Sequence, residues 1–268
     1  LHLPEFRQQL LKHFDEHKRS MPWRQTQDPY AILVSELMLQ QTQVKTVIPY
    51  YLRFIARFPT ATALAEADGE ELLKLWQGLG YYRRARNLQA AAQEITTEHG
   101  GIFPQEKAAI DALTGVGPYT SAAVSSIAFG QKHACVDGNV IRVISRLDGS
   151  DEDVGTGSVL KGIATRAAEL LCHSRPGDFN QAMMELGATV CTPRNPSCLT
   201  CPVAQFCQTK QQGDDPHSRP VKAKKVQVST VDLEALFVFS GQHFLLARRP
   251  ETGLMAGMWE LPTQARGV

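Results

Sequence analysis

From Phe6 to Cys191 almost every stretch that repeats its apolar residues does so at helical spacing, and no convincing strand pattern appears before residue 226. The long N-terminal part of the chain is therefore confined to an all-α body. Residues 5–18 place Phe6, Leu10, Leu11 and Phe14 on one helical face. The run AILVSELMLQQTQV is apolar nearly all round through Ile32, Leu33, Val34, Leu37, Met38 and Leu39, which is the pattern of a buried helix. Glu36 stands in the middle of it. A carboxylate in that setting either turns toward a polar cavity or takes up a proton, because burial disfavours its charge. The alternative is an exposed stripe of Ser35, Glu36 and Gln40.

Chemistry concentrates between Leu113 and Val143. EKAAIDAL reads as a short helix, and Leu113-Thr114-Gly115-Val116-Gly117 as a hairpin. Pro118 suits the first turn of a second helix, and TSAAVSSIAFG has the small residues of a closely packed one. Gly115 and Gly117 let backbone N–H groups at that helix N-terminus approach an anion such as a DNA phosphate. Asp137, in VDGNV, opens a further apolar-periodic helix, where an aspartate is ordinarily an N-cap. Upstream, GLGYYRRARN sets tyrosines beside Arg83, Arg84 and Arg86. That combination suits phosphate contact plus an aromatic wedge, against the plainer reading of a solvated helix start. Trp23, in the loop MPWRQTQDPY beside Arg24, is expected to pack in the core, as are Phe179, Met183, Met184 and Leu186 of FNQAMMELG.

Composition excludes little. The net charge of +1 is far from the strongly basic balance of many nucleic-acid binders, so any DNA contact must come from a local basic face and backbone amides. No apolar run is long enough to span a membrane and no signal-peptide pattern is present, so an intracellular protein is expected. Four cysteines then arrive together as C-x6-C-x2-C-x5-C: Cys191, Cys198, Cys201 and Cys207. Clustered thiols in such a protein imply a metal centre, and four thiolates hold either tetrahedral zinc or a [4Fe–4S] cluster. Cys135 and Cys172 are expected as small core residues. Residues 208–225 lack apolar periodicity and read as a basic-leaning linker. Residues 226–268 suggest two strands around a Ser-Gly turn, and are too few for a complete domain of their kind.

SELMLQQTQV, GLGYYRRARN, LTGVGPYT, VDGNVIRV, FNQAMMELG and the four-cysteine spacing together resemble the MutY-type adenine DNA glycosylases of the helix-hairpin-helix, endonuclease III-like superfamily. The resemblance runs from about Pro4 to Cys207. It implies a mainly α, two-lobed helix-hairpin-helix glycosylase fold over residues 1–207 with a [4Fe–4S] loop at 191–207, and it favours that cluster over zinc. The segment VDLEALFVF…LLARRPETGLMAGMWELP is similar to the start of a Nudix, MutT-like α+β domain concerned with 8-oxoguanine. The Glu-rich Nudix helix is absent from this sequence, so no pyrophosphohydrolase activity is expected.

The activity implied is removal of adenine mispaired with 8-oxoguanine or guanine in double-stranded DNA. By residue-by-residue carry-over, Glu36 matches the acid that protonates adenine N7, and Asp137 the carboxylate that stabilises the oxocarbenium sugar. Tyr119 occupies the place where bifunctional members carry a lysine, which implies a monofunctional enzyme that leaves an abasic site without efficient lyase action. Tyr119 and Asn139 are expected to position the acid, sugar or water. Arg24, Trp23 and Gln181 are expected at the adenine, Leu39 among the substrate-binding residues, and Gln41 and Tyr81 at the lesion, with Tyr81 intercalating. Gly115, Gly117, Arg83, Arg84 and Arg86 are expected to touch DNA. Ile141 replaces a lysine found after VDGNV in some members. The expected setting is a monomer in a bacterial-type cytoplasm. Two other readings compete: an endonuclease III-like enzyme for oxidised pyrimidines, disfavoured by the missing lysine, and a non-catalytic iron–sulfur DNA-binding or electron-transfer protein, disfavoured by the two carboxylates.

Overall fold

The computed structural model describes residues 2–223 and 231–265 and divides into two units, residues 1–223 and 224–268. The first unit is helical. Helix α1 (Leu3–His17) is followed by α2 (Pro29–Leu39), α3 (Val44–Arg57), α4 (Ala61–Ala65), α5 (Gly69–Trp76) and α6 (Arg83–Glu98). Next come α7 (Lys107–Ala112), α8 (Pro118–Phe129), α9 (Gly138–Leu147), α10 (Gly157–Leu170), α11 (Pro176–Thr189) and the short α12 (Gln208–Gln212).

Two hydrophobic cores divide these helices into two lobes. One core runs through α2 to α7 and includes Ile32, Leu37, Phe54, Trp76, Leu88 and Ile110. The other joins Phe6, Leu10 and Phe14 of α1 to Val143 and Ile144 of α9, Leu170 of α10 and Phe179 and Met183 of α11. The amino-terminal helix thus belongs with the later half of the unit. Helix α8 packs against α2 of the first lobe and α11 of the second. Its small residues permit this, with Ser121, Ala123, Val124 and Ser125 fully buried.

Local signals account for the ends that matter. Asp28 caps α2 by accepting from the Tyr30 amide at 3.0 Å, with Pro29 in the first turn. The apolar run through Val44 suggests one helix, but α2 stops at Leu39 because Gln41 adopts φ 56°, a left-handed conformation that no helix accommodates. Helix α8 starts at Pro118 and ends at Gly130 with φ 64°.

Residues 208–223 are not a free linker. Arg146, 3% exposed, donates from Nε to the carbonyl oxygens of Pro216 at 2.8 Å and Arg219 at 3.2 Å. Thr209 Oγ1 donates to the Arg146 carbonyl at 2.6 Å, and Arg219 pairs with Asp151 and Asp214, each at 2.9 Å. The segment is held by polar groups, so apolar periodicity does not reveal it. Residues 224 and 225 of the expected linker, and 226–230 of the expected C-terminal domain, lie outside the described residues.

The second unit is a small β region. Among its described residues are β1 (Leu233–Ala235), β2 (Phe239–Ser240), β3 (His243–Phe244), β4 (Ala247–Arg248), β5 (Trp259–Glu260) and β6 (Thr263–Ala265). They pair antiparallel as β1 with β6, β2 with β3 and β4 with β5. The β2–β3 hairpin turns at Gly241, φ 60°, where the Ser-Gly turn was expected.

Candidate active site

A cavity of about 600 Å³ lies where residues of the two lobes meet. Glu36 enters it from α2 and is 6% exposed, so the apolar run does bury its carboxylate. The Tyr119 hydroxyl, from the first turn of α8, donates to Glu36 Oε2 at 2.8 Å and lies 3.1 Å from Met184 Sδ. Burial pushes the Glu36 carboxyl up to about 7. The Tyr119 hydrogen bond opposes that rise, the nearby Asp137 charge adds to it, and Arg24 opposes it. Burial and the same carboxylate hold the Tyr119 phenol well above its ordinary range, so it stays a donor.

Asp137 faces the cavity from the other lobe as the N-cap of α9. Its Oδ1 accepts from the Val140 amide at 2.8 Å, and its Oδ2 from Asn139 Nδ2 at 2.8 Å. Arg142 fixes Asn139 in turn, donating to Asn139 Oδ1 at 2.8 Å, Gly187 O at 2.6 Å and Cys191 O at 2.8 Å. Gly187 is required there: a Cβ on it would meet Asn139 Cβ at 2.6 Å and its Cα at 3.1 Å. Asn180 steadies the segment leading to Asp137, accepting from the Cys135 amide at 3.0 Å and donating to His133 O and Ser126 Oγ.

A charged wall completes the cavity. Glu185, 6% exposed, accepts from Arg19 at 2.7 and 2.8 Å and from Arg24 Nη2 at 3.0 Å. Burial would raise its carboxyl, but the two guanidinium partners hold it down at about 2. Arg24 Nε donates to Gln181 Oε1 at 3.1 Å. One face of the cavity thus carries a carboxyl poised near neutrality, another a fixed carboxylate with two donors, and a third an ion-paired polar edge.

Of the residues singled out in the sequence, Glu36, Asp137, Tyr119, Asn139, Arg24, Trp23, Gln181, Gln41 and Leu39 all line this cavity. Trp23 also packs edge-on against Tyr51, with ring centroids 5.3 Å apart, so it is a core residue that also faces the cavity. Tyr81 stands on a neighbouring loop, 62% exposed. Arg83 is exposed and Arg86 half-buried. Arg84 corrects the sequence reading: it is 7% exposed, and its guanidinium is spent on carbonyls of residues 37–40 and 79–80 rather than offered to phosphate. Gly115 turns the hairpin at φ 78° where a Cβ would strike Asn87 at 2.4 Å, and Gly117 caps α8. Arg19, Glu185, Arg142 and Asn180 escaped the sequence reading. For Glu185, Arg142 and Asn180 the signal is a charged or amide residue within an otherwise core-like helix, whereas Arg19 lies in the loop after α1.

Residues 34–164 match the HhH-GPD superfamily of base excision DNA repair proteins, and residues 191–207 match the iron–sulfur binding domain of endonuclease III. An adenine DNA glycosylase of Rattus norvegicus is 40% identical over 96% of this chain and 60% of its own length. One from Schizosaccharomyces pombe is 34% identical over 98% of this chain and 70% of its own length. The chain belongs to the adenine DNA glycosylase family of the HhH-GPD superfamily. The solved structure of a thermostable thymine-DNA glycosylase, 31% identical, superposes with a TM-score of 0.72 over 78% of this chain and 97% of that one. The chain spans about 60% of the length of the rat relative. Relatives from a mammal and a yeast show that the family is not confined to bacteria, so a bacterial-type setting does not follow from membership. Among the described residues, no helix is long and apolar enough to cross a membrane.

In this family member the four clustered cysteines line one cavity of about 190 Å³, together with Arg146 and Lys210. Arg146 Nη1 stands 3.4 Å from Cys191 Sγ, a cation suited to a thiolate. Among the described residues, no group of three or more such ligands is drawn to the spacing of a single ion. The donor set fits an iron–sulfur centre.

Proposed function

We propose that this chain hydrolyses the N-glycosidic bond of adenine paired with 8-oxoguanine or guanine in duplex DNA. The observation that carries the reading is the pairing of Glu36 and Asp137 across one cavity, each in a setting suited to a different task. The adenine is drawn out of the duplex, at a cost of a few kcal/mol in unstacking. Glu36, protonated near neutral pH, delivers its proton to adenine N7. The C1′–N9 bond then breaks with its electron pair passing to the base, and the Asp137 carboxylate stabilises the cationic sugar until water adds to C1′ and gives up the proton that restores Glu36. Adenine and an abasic sugar are the products.

Tyr119 holds Glu36 by its hydroxyl and Asn139 holds Asp137. Arg24, Gln181, Trp23 and Leu39 form the base pocket, in keeping with the polar edge and apolar walls of the cavity. Gln41 and Tyr81 enter the duplex at the lesion. Gly115 and Gly117 bring α8 amides to a phosphate, and Arg83 and Arg86 add charge nearby. A phenol forms no Schiff base, so strand cleavage does not accompany base release. Cys191, Cys198, Cys201 and Cys207 hold a [4Fe–4S] cluster that pins the 191–207 loop; hydrolysis itself changes no oxidation state. The β region belongs to a MutT-like domain that senses 8-oxoguanine, and the enzyme acts as a monomer on chromosomal DNA.

Single-turnover incubation with a duplex carrying adenine opposite 8-oxoguanine, divided into samples with and without hot alkali, tests this reading. Strand breaks only after alkali are expected. Breaks without alkali would overturn the monofunctional assignment. No breaks in either sample, from protein that binds the duplex, would leave a binding protein instead.

A further inference from the structure

Gln41 and Tyr81 are separated by forty residues of sequence, yet they share a peculiarity. Both are non-glycine residues in the left-handed backbone region, at φ 56° and φ 48°, and both sit at loop tips. Such conformations persist only where the surroundings impose them. Trp76 Nε1 donates to the Gly80 carbonyl at 3.1 Å, but one side chain reaches both loops. Arg84 Nη1 faces the carbonyl oxygens of Leu37 at 2.9 Å, Met38 at 2.8 Å and Gln40 at 2.5 Å. Its Nη2 faces Thr42 Oγ1 at 3.2 Å and the carbonyl oxygens of Leu79 at 3.1 Å and Gly80 at 3.0 Å.

The carbonyls of Gln40 and Gly80 belong to the peptide groups that lead directly into Gln41 and Tyr81. One planar guanidinium therefore fixes both peptide planes. The same group lies over the Tyr81 ring, 5.5 Å from its centroid, and over the Trp76 ring at 5.5 Å. The carbonyls of Leu37 and Met38 are orphans of the last turn of α2, so a buried cation is also welcome there on dipole grounds.

We propose that Arg84 is a positioning residue that sets Gln41 and Tyr81 in a common register, so that the two tips enter the duplex as one unit. This rests on the reading of both tips as lesion-inserting. A rigid, shared mount orders both tips before DNA arrives, so little further ordering remains to be done on binding. A lysine cannot reproduce the arrangement, because its point-like ammonium has no fork to span two loops.

Two measurements test the proposal. Native-state hydrogen exchange on the unaltered protein should give the same opening free energy for the Thr42 amide, bonded to Leu39 O, and the Leu79 amide, bonded to Trp76 O. Independent opening of the two loops would overturn the proposal, and this measurement involves no substrate. The second is a mutant cycle in single-turnover excision. Arg84→Lys should lower the rate on the order of 10²-fold in the native background, the scale of a misplacement remote from the chemistry. In the Gln41→Ala/Tyr81→Ala background it should have little further effect. An equal loss in both backgrounds, with unchanged melting temperature, would make Arg84 merely structural. Failure of the native protein to release adenine would count against the glycosylase reading alone, leaving the exchange result to judge the shared mount.

Discussion

The Tyr119 hydroxyl donates to Glu36 Oε2 at 2.8 Å, joining residues 83 positions apart and drawing α8 against α2 at the centre of the cavity. That bond favours the ionised carboxyl, so it restrains the rise that burial imposes. Tyr119→Phe removes the restraint and should carry the Glu36 pKa above about 7. In the proposed mechanism the acid works only when protonated, so activity is expected to fall as pH rises through that pKa. The alkaline limb of the excision-rate profile should therefore move to higher pH in the variant. An unmoved or lowered limb would show that the carboxyl behind it is not Glu36.

Glu36→Gln and Asp137→Asn should each reduce single-turnover adenine release by at least ~10²-fold, the ordinary value of a positioned proton donor or charge stabiliser. Duplex affinity, read by gel shift, should be retained. Near-normal release by Glu36→Gln would remove it from the acid role.

Glu36 also has a cost in stability. Its folded pKa of about 7 exceeds the ordinary 4.5, so the folded protein holds a proton that the unfolded chain has released across that window. Stability from this group is complete below about 4.5 and lost as pH rises through about 7. Glu36→Gln should accordingly raise the melting temperature at pH 8 more than at pH 5. Equal shifts at both would contradict the burial argument.

Glu185 behaves in the opposite sense. Its carboxyl sits at about 2 against an ordinary 4.5, so its contribution is complete above 4.5 and lost as pH falls toward 2. Glu185→Gln leaves Arg24, whose side chain is 13% exposed, without its charge partner. The expected cost is about 3 kcal/mol, checked by denaturant unfolding at pH 7. The difference from the native protein should shrink at pH 3.

Gly187→Ala would thrust a methyl group against Asn139. Overpacking of this kind costs about 1–3 kcal/mol, and the α9 start that carries Asp137 must shift to relieve it. Excision rate should fall well beyond what the loss of folded protein explains. Full activity per folded molecule would mean that Asp137 tolerates the movement.

The parts of this architecture legible in the sequence are those with local causes. Pro118 and Gly130 bound α8, Asp137 caps α9, and the unbroken apolar run predicts the burial of Glu36. What stayed hidden depends on partners distant in sequence. Nothing local announces that Gln41 will take a left-handed conformation, since the reason lies on α6. Arg84 reads as a phosphate ligand because its real acceptors are main-chain carbonyls, which every residue has. Residues 208–223 read as a linker because arginines and carbonyls, not apolar side chains, hold them down.

The allegiance of α1 to the second lobe has a consequence for the birth of the protein. Helix α1 leaves the ribosome before its packing partners among residues 140–206 exist, so it must wait, unpartnered, while the whole first lobe is made. Glu36 is synthesised early, but the residues opposite it arrive only with the second lobe, Asp137 at the start of α9 and Gln181 and Glu185 on α11. A chain interrupted before Asp137 therefore lacks one half of the carboxylate pair proposed above, and one interrupted before Glu185 lacks the ion-paired edge of the cavity.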